Sequence, residues 1–490
     1  MTDCLTQYYR CPGHYFRLAL KGPLSATSGY FRLGDATLYG NYCGRELSSV
    51  PGPDLIDASH DTRIEEGVMY LPFDLEQVVD NLRCERYVDT GQNGGGMTAL
   101  AKTYYLARPM LPFALRSYLK KLHLKGWEKM SFPRWPVDCS VENLTAQLLQ
   151  FAVRSKGAGK IPFIWFWPEG APGCAIMTHD VETQSGYDFC STLMDVDDSF
   201  GIKASFQIVP EERYGVSEAF LNSLRDRGFE VAIHDLNHDG HLYKDREQFL
   251  RRAAKINAYG EQYGAEGFRA AVLYRKQQWY DALQFSYDMS VPNVAHLDPQ
   301  HGGCCTVMPY FIGNILELPV TTTQDYMLFH ILNDYSISLW RRQIDLIMKK
   351  HGLMSFLIHP DYIVRAREMS IFQELLAHLA SLREKTGVWI TTPGEVNRWW
   401  RQRAEMRLVE DGEGVRIEGA GKERARIAYA SEQNGRLIFT FQPPADRASL
   451  HQVHNSSGQG PHLTRAADDD LGEFFGERQI EYHTNERRGM

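Results

Sequence analysis

The feature that most limits the fold is a change of rhythm near residue 160. From there to about residue 400, short apolar runs alternate with longer amphipathic ones. The strand candidates are 174–178, 204–209, 230–234, 267–271, 315–320, 355–358 and 388–391. Helical spacing fills 187–200, 217–227, 244–260, 338–350 and 370–386. Such alternation predicts an α/β domain with a parallel sheet, open or closed into a barrel. In a barrel, chemistry collects where strands end and loops begin.

The flanks read differently. Residues 1–158 form an N-terminal α+β region. Tyr30-Phe31-Arg32-Leu33 and Thr37-Leu38-Tyr39 alternate as short strands, 75–87 is helical, and 92–96 is a Gly-rich loop. Residues 111–130 form a basic amphipathic segment. Its Leu115, Leu119 and Leu122 are helically spaced, with Lys120, Lys121 and Lys125 around them. Trp135-Pro136 ends it, and a helix follows over 140–153. The segment 155–160 reads as a linker, so the alternating domain is set at 159–402. Beyond it, 403–445 alternates as a small β appendage with turns at Asp411-Gly412 and Asn434-Gly435. Residues 446–490 are polar enough to be a disordered tail.

A chain of 490 residues is too long for one ordinary core. Its formal charge of -8 argues against nucleic acid, which favours a basic face. No run of eighteen apolar residues suggests a membrane span. The first sixteen residues carry Asp3, Arg10 and His14 and no apolar stretch, so no secretory signal is expected. Nine scattered cysteines fit reduced thiols and a cytoplasmic address. The adjacent Cys304 and Cys305 are read as ordinary thiols.

Two runs carry the chemistry. Thr178-His179-Asp180-Val181-Glu182 follows the first strand, and His234-Asp235-Leu236-Asn237-His238 ends the third. Together they offer two carboxylates and two imidazoles. A hydrolytic metal site needs a few such ligands, an open position, and an unligated acid to handle a proton. The histidines are spaced as in helical zinc proteases, but Asp235 stands where those need Glu, and Asp239-Gly240 suits a loop. Arg269 lies at the fourth strand and His359 follows the strand 355–358.

At this point the region from about 165 to 400 resembles the polysaccharide deacetylases, the NodB-like carbohydrate esterases of family 4 type. The aspartate pair of their first motif resembles Asp180-Val181-Glu182, and their paired histidines resemble His234 and His238. Phe268-Arg269 resembles the third motif, and Leu357-Ile358-His359 the last. The order and spacing are those of the family. The resemblance implies an irregular (β/α)7-type barrel. It implies that Glu182, His234 and His238 hold a divalent metal, zinc first, with cobalt or nickel as alternatives. It makes Asp180 the base, His359 the acid, and Arg269 the partner that orients Asp180.

Three departures matter. Glu182 stands where many relatives have Asp. His179 replaces an aromatic, which leaves an extra nitrogen ligand open. Arg269 is followed by Ala270-Ala271 rather than a proline and an aromatic, which turns attention to Arg275 and Trp279 as substrate contacts. Glu317 and Asp325, at a strand end, are further substrate candidates. His241 is read as solvent-facing, and His301 lies in a Gly-rich loop.

The expectation is therefore a hydrolase that removes an acyl group, N-acetyl first, from a sugar in glycan or polysaccharide biosynthesis. Its partner is an acylated sugar, a nucleotide sugar or a lipid-linked saccharide. Residues 111–130 are read first as a helix packing its leucines on the barrel, with a peripheral contact with the inner membrane face as the alternative. A non-sugar amide substrate and a non-catalytic glycan-binding barrel are the alternatives. Oligomeric state is left open.

Overall fold

The strand Cys174–Val181 (β1) is buried along its whole length, and six further strands line up parallel to it. They are Ala204–Ile208 (β2), Glu230–His234 (β3), Gly267–Arg269 (β4), Tyr287–Asp288 (β5), Ile315–Glu317 (β6) and Leu353–Ile358 (β7). The computed structural model describes residues 4–88, 126–155, 159–412, 414–441 and 480–481. In space the order is β6-β5-β4-β3-β2-β1-β7. Tyr310–Ile312 adds an antiparallel edge to β6, and Trp389–Thr391 pairs with the first half of β1.

No backbone ladder joins β6 to β7 among the described residues. The chain just beyond β6 meets β7 through hydroxyls instead. Thr321 Oγ1 donates to the Leu353 carbonyl at 2.7 Å and accepts from Ser355 N at 2.8 Å. Thr322 Oγ1 donates to the Ser355 carbonyl at 2.7 Å. These bonds satisfy buried backbone groups that would otherwise be costly, and they close the curled sheet into an irregular barrel.

Helices follow the strands as expected, with small shifts at their ends: Gln184–Ser199, Glu218–Asp226, Arg246–Gln262, Ser338–Met348 and Ala366–Thr386. Three start at side-chain caps, where Thr183, Ser217 and Asp245 accept from Gly186, Phe220 and Gln248 backbone N–H groups. The last helix ends at Gly387 in the left-handed conformation, φ 75°. Between barrel and helices lies an apolar layer that includes Leu193, Phe206, Phe249, Ile344 and Phe372, all buried. Each such side chain contributes about 1.5–3 kcal/mol by leaving water.

The N-terminal region holds the hairpin Gly29–Leu33/Ala36–Gly40 and the helices Leu75–Arg83 and Ser140–Ser155. Ile161–Ile164, expected at the start of the barrel domain, instead pairs with Ile427–Gln433 of the C-terminal β appendage. The turn at Asn434-Gly435 is present, with both residues at positive φ. These parts share a core with Cys174 and Leu353, the first residues of β1 and β7. That end of the barrel is filled, and the strand C-termini are left for chemistry. All nine cysteines are unbridged. The Gly-rich loop, the basic segment up to residue 125, and the tail apart from 480–481 lie outside the described residues. No helix among those described is long and apolar enough to cross a membrane.

Candidate metal centre and active site

Register brings the two motifs together. Val181 pairs with Ile208, and Ile208 with Ile233, so Glu182 comes level with His234. Arg269 pairs with His234, and His179 with Ile358, which puts His359 level with Asp180. Side chains alternate along a strand. Thr178, Asp180 and Glu182 therefore share one face, and His179 takes the other.

His234 ends β3. Its Nδ1 lies 3.2 Å from the Arg269 carbonyl. A carbonyl only accepts, so Nδ1 carries the hydrogen and the Nε2 lone pair is turned toward the cleft. The chain then bends through Asp235 and His238, both at positive φ (58° and 55°). This non-helical loop returns His238 to the same place, as Asp239-Gly240 suggested.

The three imidazoles converge on one oxygen. Glu182 Oε1 is 2.9 Å from His238 Nε2, 3.6 Å from His234 Nε2 and 3.3 Å from His359 Nε2. Asp180 Oδ2 is 3.5 Å from His234 Nε2. Ligand atoms at ~2.1 Å around a tetrahedral zinc lie ~3.4 Å apart, close to these separations. The Nε2 atoms of His234 and His238 are buried and face only the Glu182 and Asp180 carboxylates. Two imidazole nitrogens turned on a carboxylate in this way are the donor set a divalent cation takes. Glu182, His234 and His238 could hold such an ion, and Asp180, Glu182 and His359 form an overlapping group.

Asp180 is tied to Arg269, whose Nη1 is 2.5 Å from Oδ1. The guanidinium is fully buried, and it also donates to Thr178 Oγ1 at 2.8 Å and the Met289 carbonyl at 2.9 Å. Burial alone would raise the Asp180 carboxyl. Arg269, helped by His234 and His359, outweighs it and holds the group below its ordinary range. His359 is the reverse case. Burial disfavours its charge, but Asp325 and Glu182 raise its pKa well above the ordinary value. Asp325 Oδ1 is 2.6 Å from Nδ1, and Oδ2 accepts from the His359 backbone N at 2.7 Å. The site thus pairs an anionic carboxylate with a proton-bearing imidazole.

Other expected residues sit elsewhere. Arg275, expected at the substrate, is buried against Glu85, with Nε 2.6 Å from Oε2, and so ties the N-terminal region to the barrel. Trp279, expected there too, packs on Phe249 at 5.3 Å with Lys276 4.2 Å above its ring. Glu317 lies within the sheet beside Asp288, its register partner, and accepts from Val291 N at 3.0 Å. Asp325 is at the site, but its carboxylate is engaged by His359. His179 faces the helix layer and bonds Asp197 at 2.8 Å, both fully buried, so it offers no extra ligand. His241 is exposed beside Asp239. His301 rests against the Ala295 carbonyl at 3.4 Å. Sequence reading missed that Asp325 serves His359. Thirty-four residues separate them, and no local pattern links them.

No family model matches the sequence, and no curated protein matches it. Its neighbours among solved structures include polysaccharide deacetylases. A Mycobacterium smegmatis protein described as a polysaccharide deacetylase is 18% identical at a TM-score of 0.40, covering 49% of this chain and 93% of that one. Puue allantoinase is 14% identical at 0.38, covering 48% and 92%. Peptidoglycan deacetylase PdaC from Bacillus subtilis is 12% identical at 0.29, covering 47% and 93%.

Proposed function

We propose that this chain is a metal-dependent hydrolase that removes an acyl group, N-acetyl first, from a sugar. The observation that carries the reading is the convergence of His234, His238 and His359 within 3.6 Å of Glu182 Oε1, with Asp180 beside them. The order of the sequence motifs supports it as well. Glu182, His234 and His238 would hold the cation. When bound, it supplies Lewis acidity, polarising an acyl carbonyl and making water a better nucleophile near neutral pH.

The chain's own residues handle the protons. Asp180, kept anionic by Arg269, takes a proton from the attacking water. His359, kept protonated by Asp325, gives one to the departing nitrogen as the C–N bond breaks. One C–O bond forms, and the products are a carboxylate and an amine. Arg269 and Asp325 act through Asp180 and His359 and are positioning residues. A cytoplasmic biosynthetic precursor, nucleotide-linked or lipid-linked, is the substrate form this reading favours.

The test is elemental analysis of purified protein together with acetate release from N-acetylated sugars in free, nucleotide-linked and lipid-linked form. Bound metal and acetate release, with turnover lost and metal kept in Asp180→Asn, support the reading. A metal-loaded protein that releases acetate from none of them removes it.

A further inference from the structure

The backbone just after Arg269 takes a form that side chains resist. Val272 and Leu273 both stand at positive φ, 61° and 53°. A β-branched residue there is an outlier, and it persists only where its surroundings over-determine it. Two tight turns shape the segment. Leu273 N donates to the Ala270 carbonyl at 3.3 Å, and Tyr274 N to the Ala271 carbonyl at 3.1 Å.

This segment touches the site. A Cβ added at Gly240 would stand 3.6 Å from the Tyr274 ring and 3.9 Å from Val272 Cγ2. The turn therefore backs the loop that returns His238 to the metal centre. Leu273 packs with Val320 and Leu357, and Leu357 lies two residues before His359.

The grip on the segment comes from the N-terminal region. Arg275 Nη1 donates to the Leu273 carbonyl at 3.0 Å. Its Nε donates to Glu85 Oε2 at 2.6 Å, and its Nη2 to Glu85 Oε1. Glu85 Oε1 also accepts from Gly303 N at 2.6 Å. Gln300 brackets the Arg275 backbone, accepting from its N at 3.0 Å and donating to its carbonyl at 3.1 Å. Glu85 sits two residues beyond the helix Leu75–Arg83 at φ 57°, the left-handed position that Gly usually fills at a helix end. A glycine there would relax the backbone but leave Arg275 without its carboxylate.

We propose that Glu85 is a positioning residue for the metal centre: through Arg275 it holds the turn 270–275 in its left-handed form, and that turn supports the His238 loop. The assignment rests on the metal-dependent reading above and gives the N-terminal region a part in the site.

The experiment compares Glu85→Gln, Arg275→Lys and Tyr310→Phe with the wild type. Tyr310→Phe is the control. It removes the bond from Tyr310 to the Arg83 carbonyl, 3.1 Å, and so loosens the same N-terminal segment while leaving Glu85 and Arg275 paired. The readouts are the zinc dissociation constant, by competition with a chromophoric chelator, and amide hydrogen exchange over residues 235–243. Glu85→Gln and Arg275→Lys should each weaken zinc binding about tenfold or more and speed exchange over that loop. Tyr310→Phe should stay close to the wild type in both. Should Glu85→Gln fail to fold, Arg275→Lys carries the same test. Unchanged loop exchange in the folded variants, or an equal gain in Tyr310→Phe, overturns the role. A wild type that binds no zinc, with loop exchange still dependent on Glu85, removes the metal reading alone. Zinc binding and acetate release by the wild type that survive Glu85→Gln unchanged, with loop exchange also unchanged, remove the positioning role alone.

Discussion

Asp325 holds His359 at two points, Oδ1 against the ring Nδ1 at 2.6 Å and Oδ2 against the backbone N at 2.7 Å. One carboxylate thus fixes both the place and the charge of the imidazole. Burial pushes the His359 pKa down, and Asp325 with Glu182 pulls it well above the ordinary value. In Asp325→Asn burial is less opposed, so the proton leaves at lower pH. The alkaline limb of the kcat profile should move to lower pH, and turnover should fall about 10²–10⁴-fold, the range of a general acid. Metal content should be unchanged. A limb that stays in place would show that His359 does not give the proton.

Arg269 works on the other proton. Without it, burial raises the Asp180 carboxyl, and the base is anionic only at higher pH. Arg269→Met should move the acid limb of kcat/KM upward. Leaving one charge of a buried pair alone costs about 3–5 kcal/mol, so the melting temperature should drop as well. Arg269→Lys keeps a charge but cannot reproduce the bonds to Thr178 and Met289 together. It should recover most of the limb position and only part of the rate. An acid limb indifferent to both variants would exclude Asp180 as the base.

The parts of the fold that were legible are those with periodicity. β1, β2, β3 and β7 and their helices are long enough to show it, and the motif residues sit at strand ends where the expectation put them. β5 has two residues and Tyr310–Ile312 three, too few for any alternation to register. His179 was readable from its neighbours. With Thr178 and Asp180 facing inward, a residue between them must face the helices. Arg275 and Trp279 were not. The partner of Arg275 is Glu85, 190 residues earlier, and the ring against Trp279 is Phe249, on the helix Arg246–Gln262 that precedes β4. Such long-range pairing leaves no trace in local spacing.

Metal should stabilise this chain. A cation that binds the folded form alone adds about 2.7 kcal/mol at one hundred times its Kd. Zinc should therefore raise the melting temperature of chelator-treated protein, and less so at pH 5.5, where protons compete for His238, whose pKa burial pushes down and Glu182 pulls above the ordinary value. His238→Ala and Glu182→Gln should each lose most of the zinc-induced shift, read by differential scanning fluorimetry. An equal shift in wild type and both variants would place the metal elsewhere.

Glu317 offers a test away from the chemistry. It lies fully buried with Asp288, and burial together with that second carboxyl raises its pKa well above the ordinary value. The sign follows from linkage. An acid whose pKa rises on folding binds its proton more tightly in the folded state, so it adds stability at low pH and loses it as pH climbs through the folded pKa. Glu317→Gln keeps the shape and the acceptor for Val291 N but has no proton to lose. Its melting temperature should match the wild type near pH 5 and exceed it increasingly up to pH 9. Glu317→Ala leaves the Val291 N–H unpaired, a cost of about 1–3 kcal/mol, and should be less stable near pH 5. A wild-type-to-Gln difference that stays constant with pH would mean that Glu317 is ionised throughout.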